Sequence, residues 1–134
     1  MSDLDALFEA ARTIQARAYA PYSRFKVGAA LATPDGRIFS GCNVENAAYP
    51  IGTCAEAGAI SAMIAAGGDR IATILVMGEG AHLVTPCGGC RQRIREFAAP
   101  GTIIHVAGPE GIRRSFTLEE LLPHSFGPDN LTDR

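Results

Sequence analysis

The sequence predicts an α/β fold: a three-layer α/β/α sandwich built on a mixed sheet of four or five strands. Three observations carry that reading. Ala72-Thr73-Ile74-Leu75-Val76-Met77 and Thr102 to Val106 are short and almost wholly apolar, as strands buried on both faces are. Each follows a segment with helical patterning, which makes two strand-helix-strand crossovers and puts helices on the sheet faces. Thr33-Pro34-Asp35-Gly36, with Pro at its second position, is a turn between two strand-like runs and marks one hairpin. At 134 residues, 47% of them hydrophobic and 19% charged, the chain can bury one core and is read as a single domain over 1–134.

The elements follow in order. Leu4, Leu7, Phe8, Ala11, Ile14 and Ala18 recur at helical spacing, with Ser2 or Asp3 as cap and Pro21 as the stop. Phe25 to Ala32 reads as the first strand and Arg37 to Val44 as the second. Thr53 to Ala66 is an Ala-rich helix that Gly67-Gly68 ends. The strand Ala72 to Met77 comes next. A helix then opens at Thr85-Pro86, with Pro at its first position, and runs to about Phe97. Beyond the strand Thr102 to Val106, Gly108-Pro109-Glu110-Gly111 turns the chain. Arg113 to Phe116 is a weak edge strand, Thr117 to Leu122 a short helix, and 127–134 a loosely held tail.

Composition removes several classes of function. Twelve Lys+Arg against fourteen Asp+Glu give a net charge of −2, which offers no polyelectrolyte attraction to nucleic acid or an anionic membrane. Apolar runs are too short to span a bilayer, and the opening MSDLDALFEAAR is acidic and amphipathic, unlike a secretory signal. The expected address is cytoplasmic, where thiols stay reduced, so four cysteines point to chemistry more than to disulfides.

Cys87-Gly88-Gly89-Cys90 places two thiols one helical turn apart at a helix start, where the dipole and free N–H groups favour thiolate. Cys54 opens the other central helix. If both helices follow strands of one sheet, the three thiols converge as metal ligands do. Each element has a plainer reading. The CxxC alone is compatible with a redox pair. Thr53-Cys54-Ala55-Glu56 is also a capping box, T-x-x-E, and the same box recurs at Thr117-Leu118-Glu119-Glu120. Cys42 is read as a small buried strand residue, though as a fourth ligand it would close a structural zinc site. His82, His105 and His124 are read as structural. What raises Glu56 above a cap is its company: Cys54-Ala55-Glu56, then Pro86-Cys87-Gly88-Gly89-Cys90 thirty residues on, match the C-x-E…P-C-x-x-C signature already described for zinc deaminases. Three ligands leave one zinc position for water, and a carboxylate beside them can carry that water's proton.

With Phe25-Lys26-Val27-Gly28-Ala29-Ala30-Leu31, Asn43-Val44-Glu45-Asn46-Ala47-Ala48-Tyr49, Cys90-Arg91-Gln92 and Leu121-Leu122-Pro123…Phe126, the chain resembles the small tetrameric cytidine deaminases from its first helix to Leu131. The resemblance implies one zinc ion per chain on Cys54, Cys87 and Cys90, Glu56 as proton shuttle, and hydrolytic deamination of cytidine and deoxycytidine in pyrimidine salvage. It implies that Asn43 and Glu45 read a ribose hydroxyl and that Phe25 lines the pyrimidine pocket. Backbone groups around Ala55 and Cys87 would read the base edge. Ala47, Tyr49 and Phe126 would complete sites shared within a homotetramer. Small residues on the central helix (Ala55, Gly58, Ala59, Ala62, Ala65, Ala66) would let neighbouring helices approach.

The chain departs from that family at Ala57, where members with three cysteine ligands commonly carry an Arg that hydrogen-bonds ligand sulfurs. Three thiolates on Zn²⁺ leave one excess negative charge, so another donor is expected at a sulfur. Arg91 is the nearest candidate in sequence, ahead of Arg24 and Arg95. A nucleic-acid deaminase would need a basic channel that this chain lacks. A deoxycytidylate deaminase would need a phosphate pocket that is not evident. Blasticidin deaminases lack the Asn-Val-Glu-Asn segment found at 43–46.

Overall fold

Two hairpins and two strand-helix-strand crossovers generate the sheet. The computed structural model describes residues 3–132. Its elements are α1 (Asp3–Gln15), β1 (Gly28–Ala32), β2 (Ile38–Cys42), α2 (Ala55–Ala65), β3 (Thr73–Met77), α3 (Gly88–Phe97), β4 (Ile103–Gly108), β5 (Gly111–Thr117), α4 (Leu118–Leu121) and α5 (Pro128–Thr132). A single 3₁₀ turn lies at Tyr49–Ile51. The five strands run in the order β2-β1-β3-β4-β5. β1 pairs antiparallel with both β2 and β3, β3 pairs parallel with β4, and β4 pairs antiparallel with β5. β2 and β3 therefore point the same way, and the helices that follow them start at the same edge of the sheet.

The apolar strands are buried on both faces because helices cover both. On one face Ala30, Leu75, Met77 and Ala107 pack against Leu7 and Ala11 of α1. On the other, Ala29, Leu31, Ile74, Val76 and Ile104 pack against Ala55, Ala59 and Met63 of α2 and Ile94 of α3. Each large aliphatic side chain so buried contributes roughly 1.5–3 kcal/mol. The three layers are those expected. Two glycines set how closely helices approach. A Cβ on Gly28 would lie 2.3 Å from the Ala11 carbonyl oxygen of α1, and one on Gly41 would lie 2.4 Å from the Ala59 nitrogen of α2. Gly41 thus seats the helix whose N-terminus carries Cys54.

Several boundaries differ from the sequence reading, each for a tertiary reason. The first strand starts at Gly28 and not at Phe25, because the Phe25 carbonyl and Val27 N–H are taken by the Asn43 side chain. The second ends at Cys42. The first helix ends at Gln15, after which Tyr19 bridges to Val44. Asp3 lies inside that helix, and Ser2 falls outside the described residues. Pro86 precedes α3 instead of opening it, since Cys87 is the cap. β5 is longer than expected. The segment after Phe126 is no loose tail through Thr132: α5 is tied to α3 by an Arg95–Asp129 ion pair of 2.6 Å, and Gln92 Nε2 donates to the Phe126 carbonyl at 2.8 Å. No helix among the described residues is long and apolar enough to cross a membrane.

Candidate metal centre and active site

Two of the three candidate ligands are helix caps. Cys54 caps α2 and Cys87 caps α3, both with extended backbone, and Cys90 sits in the first turn of α3. The parallel direction of β2 and β3 brings these two helix starts together. The Sγ atoms of Cys54, Cys87 and Cys90 all lie within 4.8 Å of one another. No other His, Cys, Asp or Glu joins that group among the described residues. Cys42 is half-buried at the end of β2 and outside it, so the closed four-cysteine alternative fails. All four thiols are free. His105 Nδ1 pairs with Ser115 Oγ across β4 and β5 at 2.7 Å, away from the thiol group.

Three soft thiol donors at two helix N-termini, with no fourth protein ligand, are the donor set of an open tetrahedral zinc site. Burial pushes the Cys54 and Cys90 thiols up, whereas the Cys90 backbone N–H pulls the Cys87 thiol down. Cys87 is also the exposed one of the three.

Glu56 is only 4% exposed, and burial raises its carboxyl above the ordinary glutamate range. The capping box read at Thr53 does not form. Cys54 is the cap, without a side-chain cap bond, because Thr53 exchanges both backbone hydrogen bonds with Val44 at 2.9 Å. Glu56 is thereby left unused as a cap. It lines a chamber of about 220 Å³ together with Val27, Asn43, Cys54, Val76 and Cys87. A wider cleft of about 480 Å³, lined by Tyr22, Ser23, Asn43, Glu45, Tyr49 and Cys54, adjoins it and shares Asn43 and Cys54. A larger concavity, about 750 Å³ between Arg12, Arg24, Lys26 and Glu79, holds none of these residues.

The remaining sequence-predicted residues fall in different places. Asn43 braces the approach to β1: its Oδ1 accepts from Val27 N at 2.9 Å and its Nδ2 donates to Phe25 O at 2.8 Å. Glu45 Oε1 accepts from the Tyr22 and Ser23 N–H groups at 2.9 and 3.1 Å, and its other oxygen accepts from the Ser23 hydroxyl. The Ser23 hydroxyl, then those backbone donors, hold its carboxyl below the usual range. Ala55 is buried and lines the small chamber. Phe25 is half exposed and lines neither cavity; Ala47 and Phe126 are exposed and line neither. Of the central helix's small residues, Ala55 and Ala59 are spent in this chain's own core, and Ala65 and Ala66 are exposed.

The expected sulfur donor exists, but it is none of the three candidates. Arg93 Nη1 donates to Cys90 Sγ at 3.4 Å. Arg91 instead straps the start of α3 to the Leu121 carbonyl, donating also to Pro86 O and Thr85 Oγ1. Arg95 is held by Ser125 and Asp129, and Arg24 faces the large groove. The signal was present: Cys90 and Arg93 are three apart on one helix and share a face, whereas the adjacent Arg91 does not. Tyr22 and Ser23, which hold Glu45 through the Ser23 hydroxyl and two backbone N–H groups, carried no such signal.

Residues 1–106 match the family model for the cytidine and deoxycytidylate deaminase zinc-binding region. A cytidine deaminase of Mycobacterium tuberculosis is 41% identical over 87% of this chain and 84% of its own length. One from Sporosarcina psychrophila is 35% identical over 97% and 96%. The crystal structure of cytidine deaminase from Burkholderia pseudomallei superposes with a TM-score of 0.87 at 44% identity, covering 94% of this chain and 100% of that one. With the thiol triad, the buried carboxylate and the sheet order already in place, these matches mean that this chain belongs to the cytidine and deoxycytidylate deaminase zinc-binding family.

Proposed function

We propose that the protein hydrolyses cytidine and deoxycytidine to uridine and deoxyuridine with release of ammonia. The observation that carries this reading is the buried Glu56 beside three convergent thiols, in a small chamber that opens into a wider polar cleft. Cys54, Cys87 and Cys90 hold one zinc ion, and Cys42 takes no part. Bound there, the metal supplies the Lewis acidity that makes water a nucleophile at neutral pH. Glu56 takes one proton of the attacking water and delivers it to the ring nitrogen N3. It then takes the remaining proton of the added hydroxyl and passes it to the amine, which leaves as ammonia as the C4–N bond breaks and the C4 carbonyl forms. Burial raises the Glu56 carboxyl above the ordinary glutamate range, which favours its holding a proton between the two transfers.

The small chamber suits a pyrimidine ring, with the backbone around Ala55 and Cys87 on the base edge. The wider cleft suits the sugar. Glu45 there is charged, and Asn43 keeps one N–H and one lone pair beyond its two internal bonds, so both can read a hydroxyl. We place the enzyme in pyrimidine salvage in the cytoplasm, in keeping with four free thiols. We further assign it a homotetrameric state in which Ala47, Tyr49 and Phe126 complete sites across subunits. Tyr49, Ile51 and Phe126 are 75%, 68% and 59% exposed in the single chain, an apolar surface suited to burial by another copy.

The test is loss of ultraviolet absorbance with cytidine, deoxycytidine, cytosine and deoxycytidylate assayed in parallel. The nucleosides should react and the other two should not. Metal analysis of Cys42→Ser should still find one zinc per chain, and loss of the metal there would refute the open site. Sedimentation at assay concentration should find a tetramer; an active monomer would refute the shared sites.

A further inference from the structure

We propose that Arg93 is a positioning residue for the metal centre, neutralising the excess thiolate charge through Cys90. The inference rests on the zinc reading above. Three thiolates around a dication leave one net negative charge in a partly buried site. Two helix N-termini offset it with about half an elementary charge each at best, falling off within a turn. Among the described residues, no other Arg or Lys side chain donates to a ligand sulfur; Arg93 does so at 3.4 Å.

Two further features make room for that contact. Gly89, between the ligands Cys87 and Cys90, has no side chain, and a Cβ there would stand 3.3 Å from Arg93 Nη1 and 4.0 Å from Cys87 Sγ. The guanidinium therefore lies over the turn that carries both α3 ligands. On the facing helix, Ala57 lines the same α2–α3 cleft as Arg93, so its small side chain leaves that cleft open for the guanidinium. The geometry implies an exchangeable cation. An arginine introduced at 57 would enter the cleft from α2 and substitute for one removed at 93 from α3. Arg93 lines neither chamber, so it acts through the sulfur and not on the nucleoside.

The test uses the whole protein with Co²⁺ in place of zinc, reading the sulfur-to-cobalt charge-transfer band. A hydrogen bond and positive charge at the sulfur stabilise its lone pairs, so their loss moves the band to longer wavelength. Arg93→Met should give that shift, and its zinc form should lose about 10–100-fold in kcat with KM changed less than about threefold. Arg93→Gln, which keeps an N–H donor without the charge, should fall between. Adding Ala57→Arg to Arg93→Met should move the band back and recover kcat. An unmoved band in Arg93→Met, or in Arg93→Gln where the Met variant does not fold, overturns the proposal. Absence of any thiolate–cobalt band in the unsubstituted protein would instead overturn the metal reading.

Discussion

Thr53-Cys54-Ala55-Glu56 and Thr117-Leu118-Glu119-Glu120 carry the same T-x-x-E pattern at the start of a helix, and the two glutamates meet opposite fates. At α4 the box closes: Thr117 Oγ1 accepts from Glu120 N at 3.1 Å, and Glu120 Oε1 accepts from Thr117 N at 2.8 Å. At α2 the Thr53 N–H is already donated to Val44, so the reciprocal bond of a box has no donor and the helix starts one residue later. Glu120 stays exposed, and the Thr117 N–H pulls its carboxyl below the ordinary range. Glu56 goes under the sheet edge, and burial pushes its carboxyl up. One β-bridge, between Val44 and Thr53, separates an exposed capping carboxylate from a buried one left free of the helix start. A motif states which hydrogen bonds are available; the rest of the fold decides whether they are free to form.

Three comparisons between variants sharpen or break this contrast. The largest effect is on catalysis. Glu56→Gln should retain zinc and fold but lose about 10²–10⁴-fold or more in kcat, the usual worth of general acid–base transfer. Glu120→Gln should stay within about twofold of the parent. Equal activity of the two variants would make Glu56 an ordinary cap. The second effect is on stability. Thr117→Ala should lower unfolding free energy by about 1 kcal/mol, the typical worth of a cap. Thr53→Ala, which removes no cap bond, should change it by less than about 0.5 kcal/mol. Urea unfolding of both variants decides, and a larger loss at Thr53 would revive its box.

The smallest effect depends on pH. Glu120 has its folded-state pKa lowered, so its contribution to stability is complete above the ordinary glutamate range and disappears as pH falls through the lowered value. Glu120→Ala should therefore melt slightly below the parent at neutral pH, with a gap smaller than that of Thr117→Ala, and the two should converge in acid. A gap that persists at the acid end would show that Glu120 acts through packing and not through its charge.

Much of this molecule is legible in its local patterns. The short apolar runs are strands because only burial on both faces accommodates them, and the hairpin turn and the Gly67-Gly68 stop lie where their conformations require. The thiol triad was legible as well, since a CxxC spans one turn and two parallel strands must deliver their following helices to one edge. Helix starts were not. Pro86 and Thr53 are good opening residues locally, yet cysteines cap both central helices, at Thr53 because Val44 claims its backbone.

By itself, then, the sequence determined the order of elements, the three-layer arrangement, the convergence of Cys54, Cys87 and Cys90, and the carboxylate that stands beside them. These depend on spacing along the chain, which short-range geometry converts directly into positions on a face. The tertiary structure alone decided that Arg93 and not Arg91 meets a ligand sulfur, that Glu56 is freed from capping, and that Gln92 and Arg95 hold the segment from Phe126 to α5. Each of those outcomes is a contact in which one group excludes another for the same partner, and such competition is settled only when the packed elements bring the competitors together.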